Sequence, residues 1–277
     1  MKKKMVLMLV GIVAAYTVAC SGGEATQTGT DVSANDTAVS DANATVSGDV
    51  SDDVNVDTQD DANGDEAAVM SYDEYMAAEL DTEVVVETYV QAKQSWWEDT
   101  ATLYTQSEDG AYFIYNAACS EEDYEKLVPG TKIVVTGYKS EWSGEIEIID
   151  ATFEIVEGDT YVAEPTDVTD KLAEEDLIDY QNQYVSFTGM TVEAADDKGS
   201  AFLYNWDGSG TQGDDLYFNV SYGDEEYTFT VESYLCDSDS EVYKAVENLE
   251  VGDVIDMEGF LYWYEGVNPH IVAVEAE

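Results

Sequence analysis

The chain has 277 residues, of which 61 are acidic and ten basic, giving a formal net charge of −51. All ten basic residues are lysines, which excludes any mechanism that needs a guanidinium fork to hold phosphate or carboxylate through two parallel hydrogen bonds. Hydrophobic residues at 44%, aromatics at 12% and only three prolines exclude a chain that is disordered throughout.

Met1-Lys2-Lys3-Lys4 is a short basic start, followed by the apolar run Met5 to Ala15 and then Tyr16-Thr17-Val18-Ala19-Cys20. The run is short for a membrane span, and its flanks match a secretory signal peptide of residues 1–19. With a cysteine directly after the small residue, the segment resembles a bacterial lipoprotein signal, although Thr17 stands where that signal usually has leucine. The resemblance implies that Cys20 is lipid-modified and that the protein is held at the cell membrane, facing outside. Residues 20–70 follow as an acidic linker. Between Ser21 and Ala68 there is no aromatic residue, and twelve acids face no lysine, so the segment is expected to be a disordered, extended tether.

Residues 69–277 still hold 49 acids against seven lysines. Their organisation shows in the spacing of glycines and aromatics. Gly130, Gly137, Trp142 and Gly144 recur 122 positions later as Gly252, Gly259, Tyr264 and Gly266, and each set leads into an apolar strand. The match indicates an internal duplication. Upstream, alternating apolar and polar residues predict strands at 83–91, 101–105 and 111–116 in the first copy. In the second copy they predict strands at 184–192, 201–205, 216–221 and 226–232. Each copy begins with a short helical segment, 72–80 and 168–180. Each has an acidic helix after a cysteine, 120–127 after Cys119 and 237–249 after Cys236, with Ser120 and Asp237 as expected N-caps.

Three strands, a helix and a strand pair joined by a glycine turn resemble the OB-fold superfamily, in the tandem form found in lipoproteins of Gram-positive bacteria. The resemblance implies an all-β protein with short helices, two tandem five-stranded barrels at 71–162 and 163–277, each with its own core and separable near Pro165. It also implies that ligands meet the face of strands two and three and the loops joining strands 1 to 2 and 4 to 5. Fold alone sets where a ligand sits, not what it is.

In the first copy Trp96 and Trp97 fall in the first of those loops and Trp142 at the tip of the second. Adjacent tryptophans point to opposite sides of a strand, so one of Trp96 and Trp97 is expected to face solvent. Planar faces beside the acceptors Glu98, Asp99 and Glu141 suit a neutral glycan or a peptide, or else these rings close the barrel mouth. Trp263 and Tyr264 occupy the equivalent tip of the second copy. Asp207, Asp214 and Asp215 lie in a glycine-rich loop that fails the EF-hand pattern, with Gln212 and Phe218 where glycine and glutamate are required. They are a candidate calcium site, and no other cofactor is expected. The scarcity of cations argues against nucleic acid as a partner. A glycan, a peptide or a cell-surface protein is the expected alternative. Cys119 and Cys236 read as buried free thiols or as a bridge. The single histidine, His270, reads as structural, and no catalytic constellation is recognisable, so an enzyme is not expected. The overall expectation is a lipid-anchored extracellular binding module. A calcium-dependent structural or adhesive protein of the envelope is the alternative.

Overall fold

The computed structural model describes residues 68–276; the expectations for the leader, Cys20 and the tether lie outside them. The first copy opens with α1 (Tyr72–Ala77), which Ser71 caps with a capping box to Glu74. It continues through β1 (Glu83–Lys93), β2 (Thr100–Gln106), β3 (Ala111–Ala118), α2 (Glu121–Lys126), β4 (Lys132–Trp142) and β5 (Glu145–Ile155). These strands close into a barrel in the order β1-β2-β3-β5-β4. The β3–β5 pairing is parallel and the other pairings are antiparallel. Strand alternation sends Val84, Val86, Leu103, Tyr112, Ile114, Ile133, Val135 and Ile148 into one core. The helix α2 bridges β3 to β4, capped by Ser120 as expected, and delivers Leu127 to that core. The Lys139 ammonium on β4 donates to the carbonyls of Tyr75, Met76 and Ala78 at 2.8–3.0 Å, satisfying the C-terminal end of α1 with a buried cation.

The second copy repeats the plan with β6 (Thr166–Asp167), β7 (Tyr184–Glu193), β8 (Phe202–Tyr204), β9 (Leu216–Tyr222), β10 (Glu225–Val231), α3 (Glu241–Glu247), β11 (Val254–Phe260) and β12 (His270–Ala276). The sheet runs β6-β7-β11-β12-β10-β9-β8, and a further β7–β9 pairing closes five of these strands into a ring. The ring has the connectivity of the first barrel, with β10–β12 as its parallel pair. The duplicated glycines now have a physical reason. Gly137 and Gly259 sit at β-bulges in β4 and β11. A Cβ on Gly137 would lie 2.6 Å from Ile148 Cγ2, and one on Gly259 would lie 2.4 Å from the His270 carbonyl oxygen, so neither position admits a side chain.

Two helix expectations are corrected. The segment expected as a helix at 168–180 is a pair of 3-10 turns, Thr169–Lys171 and Glu175–Tyr180, without a side-chain cap on either. Val168, Leu172 and Leu177 each reach the second core from these turns, and that packing replaces a helical repeat. The second acidic helix begins later than expected. Ser240 is its N-cap, accepting the Tyr243 amide, while Asp237 accepts the Asp239 amide and closes a preceding turn.

The two barrels share a third hydrophobic cluster of Tyr104 and Phe113 from the first and Phe260 from the second, flanked by Tyr184, Leu235, Tyr262 and Val272. Ring centroids lie 4.7 Å apart for Tyr104 and Phe260 and 5.2 Å apart for Phe113 and Tyr262. Polar contacts cross the same junction. Tyr104 OH lies 2.6 Å from His270 Nδ1, Tyr184 N donates to Gln106 Oε1 at 2.8 Å, and Ser95 N donates to the Tyr234 carbonyl at 2.7 Å. Burial pushes the His270 imidazole down to about 3, so it is neutral there. Cys119 and Cys236 are free thiols, which burial raises to about 11 and about 12.

Candidate functional site: an aromatic cleft on the second barrel

The strands β9 and β10 alternate in the usual way. Leu216, Phe218 and Val220 of β9 and Phe229 and Val231 of β10 fill the second core. Their neighbours Tyr217, Asn219 and Thr228 therefore face outward, where they form the floor of an open cleft of about 410 Å³. Leu203 of β8 and Trp206 of the loop after it make one wall. Tyr264, Val267 and Asn268 of the β11–β12 connection make another, and Ala195 lies just beyond β7. These are the strand-two and strand-three face and the two loops on which barrels of this type usually hold ligands.

The chemistry of the lining is uniform. Three aromatic rings and three aliphatic side chains alternate with amides and a hydroxyl, and no charged side chain lines the cleft. Asn219 Oδ1 accepts from Thr228 Oγ1 at 2.9 Å and its amide donates to Glu226 at 2.8 Å, which fixes the side chain. Asn268 Oδ1 accepts from Thr230 Oγ1 at 2.8 Å, while its Nδ2 has no partner among the described residues. Trp206 is 76% exposed and Tyr264 48%, so two large rings stand free at the rim.

The corresponding face of the first barrel is used differently. Tyr104 on β2 and Phe113 on β3 also point outward from their barrel, but the second barrel covers them and they are 1% and 3% exposed. The duplication thus leaves one of two equivalent faces open.

Of the five aromatic candidates from the sequence, the structure brings Tyr264 into this cleft. Trp96 packs on the first core and donates its indole N–H to the Cys119 carbonyl at 2.8 Å. Trp97, 68% exposed, is the outward member of the pair, and Trp142, 60% exposed, ends β4. Trp263 is half-buried, packed on the second core and against Gly144 of the first barrel's tip. Sequence reasoning passed over Trp206 and Tyr217. Trp206 lies in the loop read only for its oxygens, and an aromatic inside a glycine-rich ligand loop was the available signal.

The three aspartates of that loop have other work. Asp207 Oδ1 accepts the Ser209 amide at 3.0 Å and Asp214 Oδ2 the Thr211 amide at 2.8 Å, while Asp215 Oδ1 takes both the amide and hydroxyl of Ser233. They fold the loop that carries Trp206. Among the described residues no group of three or more histidines, cysteines, aspartates or glutamates is positioned to hold a metal ion. Near the cleft, burial and the neighbouring Asp215 raise the Glu232 carboxyl to about 7.

No protein-family model matches the sequence, and no curated protein matches it. Solved structures of similar outline include a murine DNA binding protein bound with double-stranded DNA, at 11% identity and a TM-score of 0.33, covering 71% of this chain and 97% of that one. A second is the Ifi202 HINa domain in complex with 20 bp dsDNA, at 12% identity and a TM-score of 0.32, covering 72% and 97%. A third is a replication protein A heterotrimer bound to ssDNA, at 11% identity and a TM-score of 0.30, covering 70% and 49%. The expectation that nucleic acid is a poor partner is corrected by these findings. Those proteins are described on double-stranded DNA in the first two cases and on single-stranded DNA in the third.

Proposed function

We propose that the protein is an extracellular binding module, lipid-anchored to the cell membrane through Cys20, that takes a neutral glycan in the cleft of its second barrel. The observation that carries the ligand reading is the lining itself: Trp206, Tyr217 and Tyr264 offer ring faces, Asn219, Asn268 and Thr228 offer amides and a hydroxyl, and none of the lining side chains is charged. Sugar rings present apolar C–H faces and a rim of hydroxyls, which such a surface complements through stacking and neutral hydrogen bonds. The basic start, the apolar run and Cys20 support the anchor.

The test is a binding screen of the mature chain against neutral oligosaccharides, peptides, and single- and double-stranded oligonucleotides, read by tryptophan fluorescence and repeated with Trp206→Ala. Saturable glycan binding that the substitution weakens supports the reading. Glycans that fail to bind, or a peptide or oligonucleotide that binds in a Trp206-dependent way, would overturn it.

A further inference from the structure

Glu145 opens β5 at the tip of the first barrel and has no solvent exposure. Its Oε2 accepts the Trp263 amide at 2.8 Å and Gln181 Nε2 at 3.2 Å, both from the second barrel. Its Oε1 is buried without a partner. The Asn182 side chain lies beside the same carboxyl; its Nδ2 donates to the Ile146 carbonyl at 3.0 Å, and its Oδ1 is buried without a partner. Glu145 Oε1 and Asn182 Oδ1 are thus two buried acceptors at this junction, each without a donor. A carboxylic acid turns the buried Oε1 into a neutral hydroxyl, whereas a carboxylate leaves a charged oxygen unsatisfied in a buried place.

The surroundings favour the neutral form. The titratable groups that face Glu145 are Glu147 on its own strand, Tyr75 of α1, Tyr104 of β2 and Tyr262 after β11, all acids or phenols, with no lysine among them. Burial raises the Glu145 carboxyl to about 8.

What Glu145 holds is the wall of the cleft. Trp263 precedes Tyr264, its ring lies against Gly144, and the Glu265 amide donates to the Ser143 carbonyl at 2.7 Å. The first barrel's tip thus grips the same connection that carries Tyr264, Val267 and Asn268 into the cleft. We propose that protonated Glu145 is a positioning residue that clamps the β11–β12 connection, and that loss of its proton at alkaline pH releases the clamp and displaces the Tyr264 wall. Its consequence for binding rests on the cleft reading; the clamp does not.

The test needs no ligand. In the full mature chain, the Trp263 backbone amide and the Glu145 carboxyl carbon are followed by NMR from pH 4 to pH 10. Both resonances are expected to titrate together near pH 8, and in Glu145→Gln, which keeps the acceptor for Trp263 and cannot ionise, the Trp263 amide is expected to stay fixed at its low-pH position. A Glu145 carbon that titrates in the ordinary carboxylate range overturns the proposal even if the variant fails to fold. So does a Trp263 amide that is pH-independent in the wild type, or that titrates equally in the variant. Failure here leaves the cleft intact as a binding site, because glycan binding at fixed pH is read separately.

Discussion

Replacing Glu145 by glutamine should make the protein less sensitive to alkali by an amount the structure sets. The carboxyl is raised from 4.5 to about 8, and each pH unit of that displacement corresponds to about 1.4 kcal/mol. Between those two values the folded chain keeps a proton that the unfolded chain has released, so this group makes stability fall as pH rises from 4.5 through 8 and adds nothing further beyond. The whole span amounts to roughly 5 kcal/mol, most of it lying between pH 5 and pH 9. Glu232, raised to about 7, acts in the same direction, and His270, lowered to about 3, takes stability away as pH falls below 6.5. Both groups are common to the two proteins and cancel in the difference, as does the general repulsion among acids. Urea unfolding of wild type and Glu145→Gln at pH 5 and pH 9 measures that difference directly. The variant should gain several kcal/mol relative to wild type over that range. An unchanged difference would mean that Glu145 ionises normally, and the reasoning about its orphaned Oε1 would fall.

Other outcomes follow from the same geometry. Trp206→Ala and Tyr264→Ala should each weaken glycan binding roughly tenfold, about 1.4 kcal/mol, with little change in melting temperature because both rings are largely exposed; Trp97→Ala should leave affinity unchanged in the same titration. Phe113→Ala should cost about 3–5 kcal/mol in chemical unfolding, since the ring is buried under Phe260 and Tyr262 at the junction of the barrels. For the same reason, chains cut near Pro165 should each melt below the intact protein by circular dichroism, having lost the shared cluster. From the sequence of the leader, Cys20→Ala should move the protein from the membrane fraction to the medium, as fractionation and lipid labelling would show.

The doubled architecture was legible because its cause is local. A bulge glycine whose Cβ would strike the facing strand leaves a fixed mark in the sequence, and Gly137 and Gly259 carry that mark at one spacing. The strands were legible from alternation for the same reason. Which outward face stays open was not. Tyr104 on β2 and Tyr217 on β9 both point away from their own barrels, and nothing in either strand tells that the first is capped by Phe260 and His270 while the second floors a cleft. That outcome depends on how one barrel docks on the other, a property of distant residues. The helix start at Ser240 was hidden by Asp237, an equally good cap that is drawn instead into a local turn. Glu145 was one of 61 acids, and only its burial between two barrels distinguishes it.

The central claim is that the open face of the second barrel is the binding surface. Mapping backbone amide shifts of the mature chain during titration with a neutral oligosaccharide that binds it tests this most directly. The account predicts perturbations clustered at Trp206, Tyr217, Asn219, Tyr264 and Asn268, with the first barrel silent. Perturbations centred instead on Trp97 and Trp142 would contradict it.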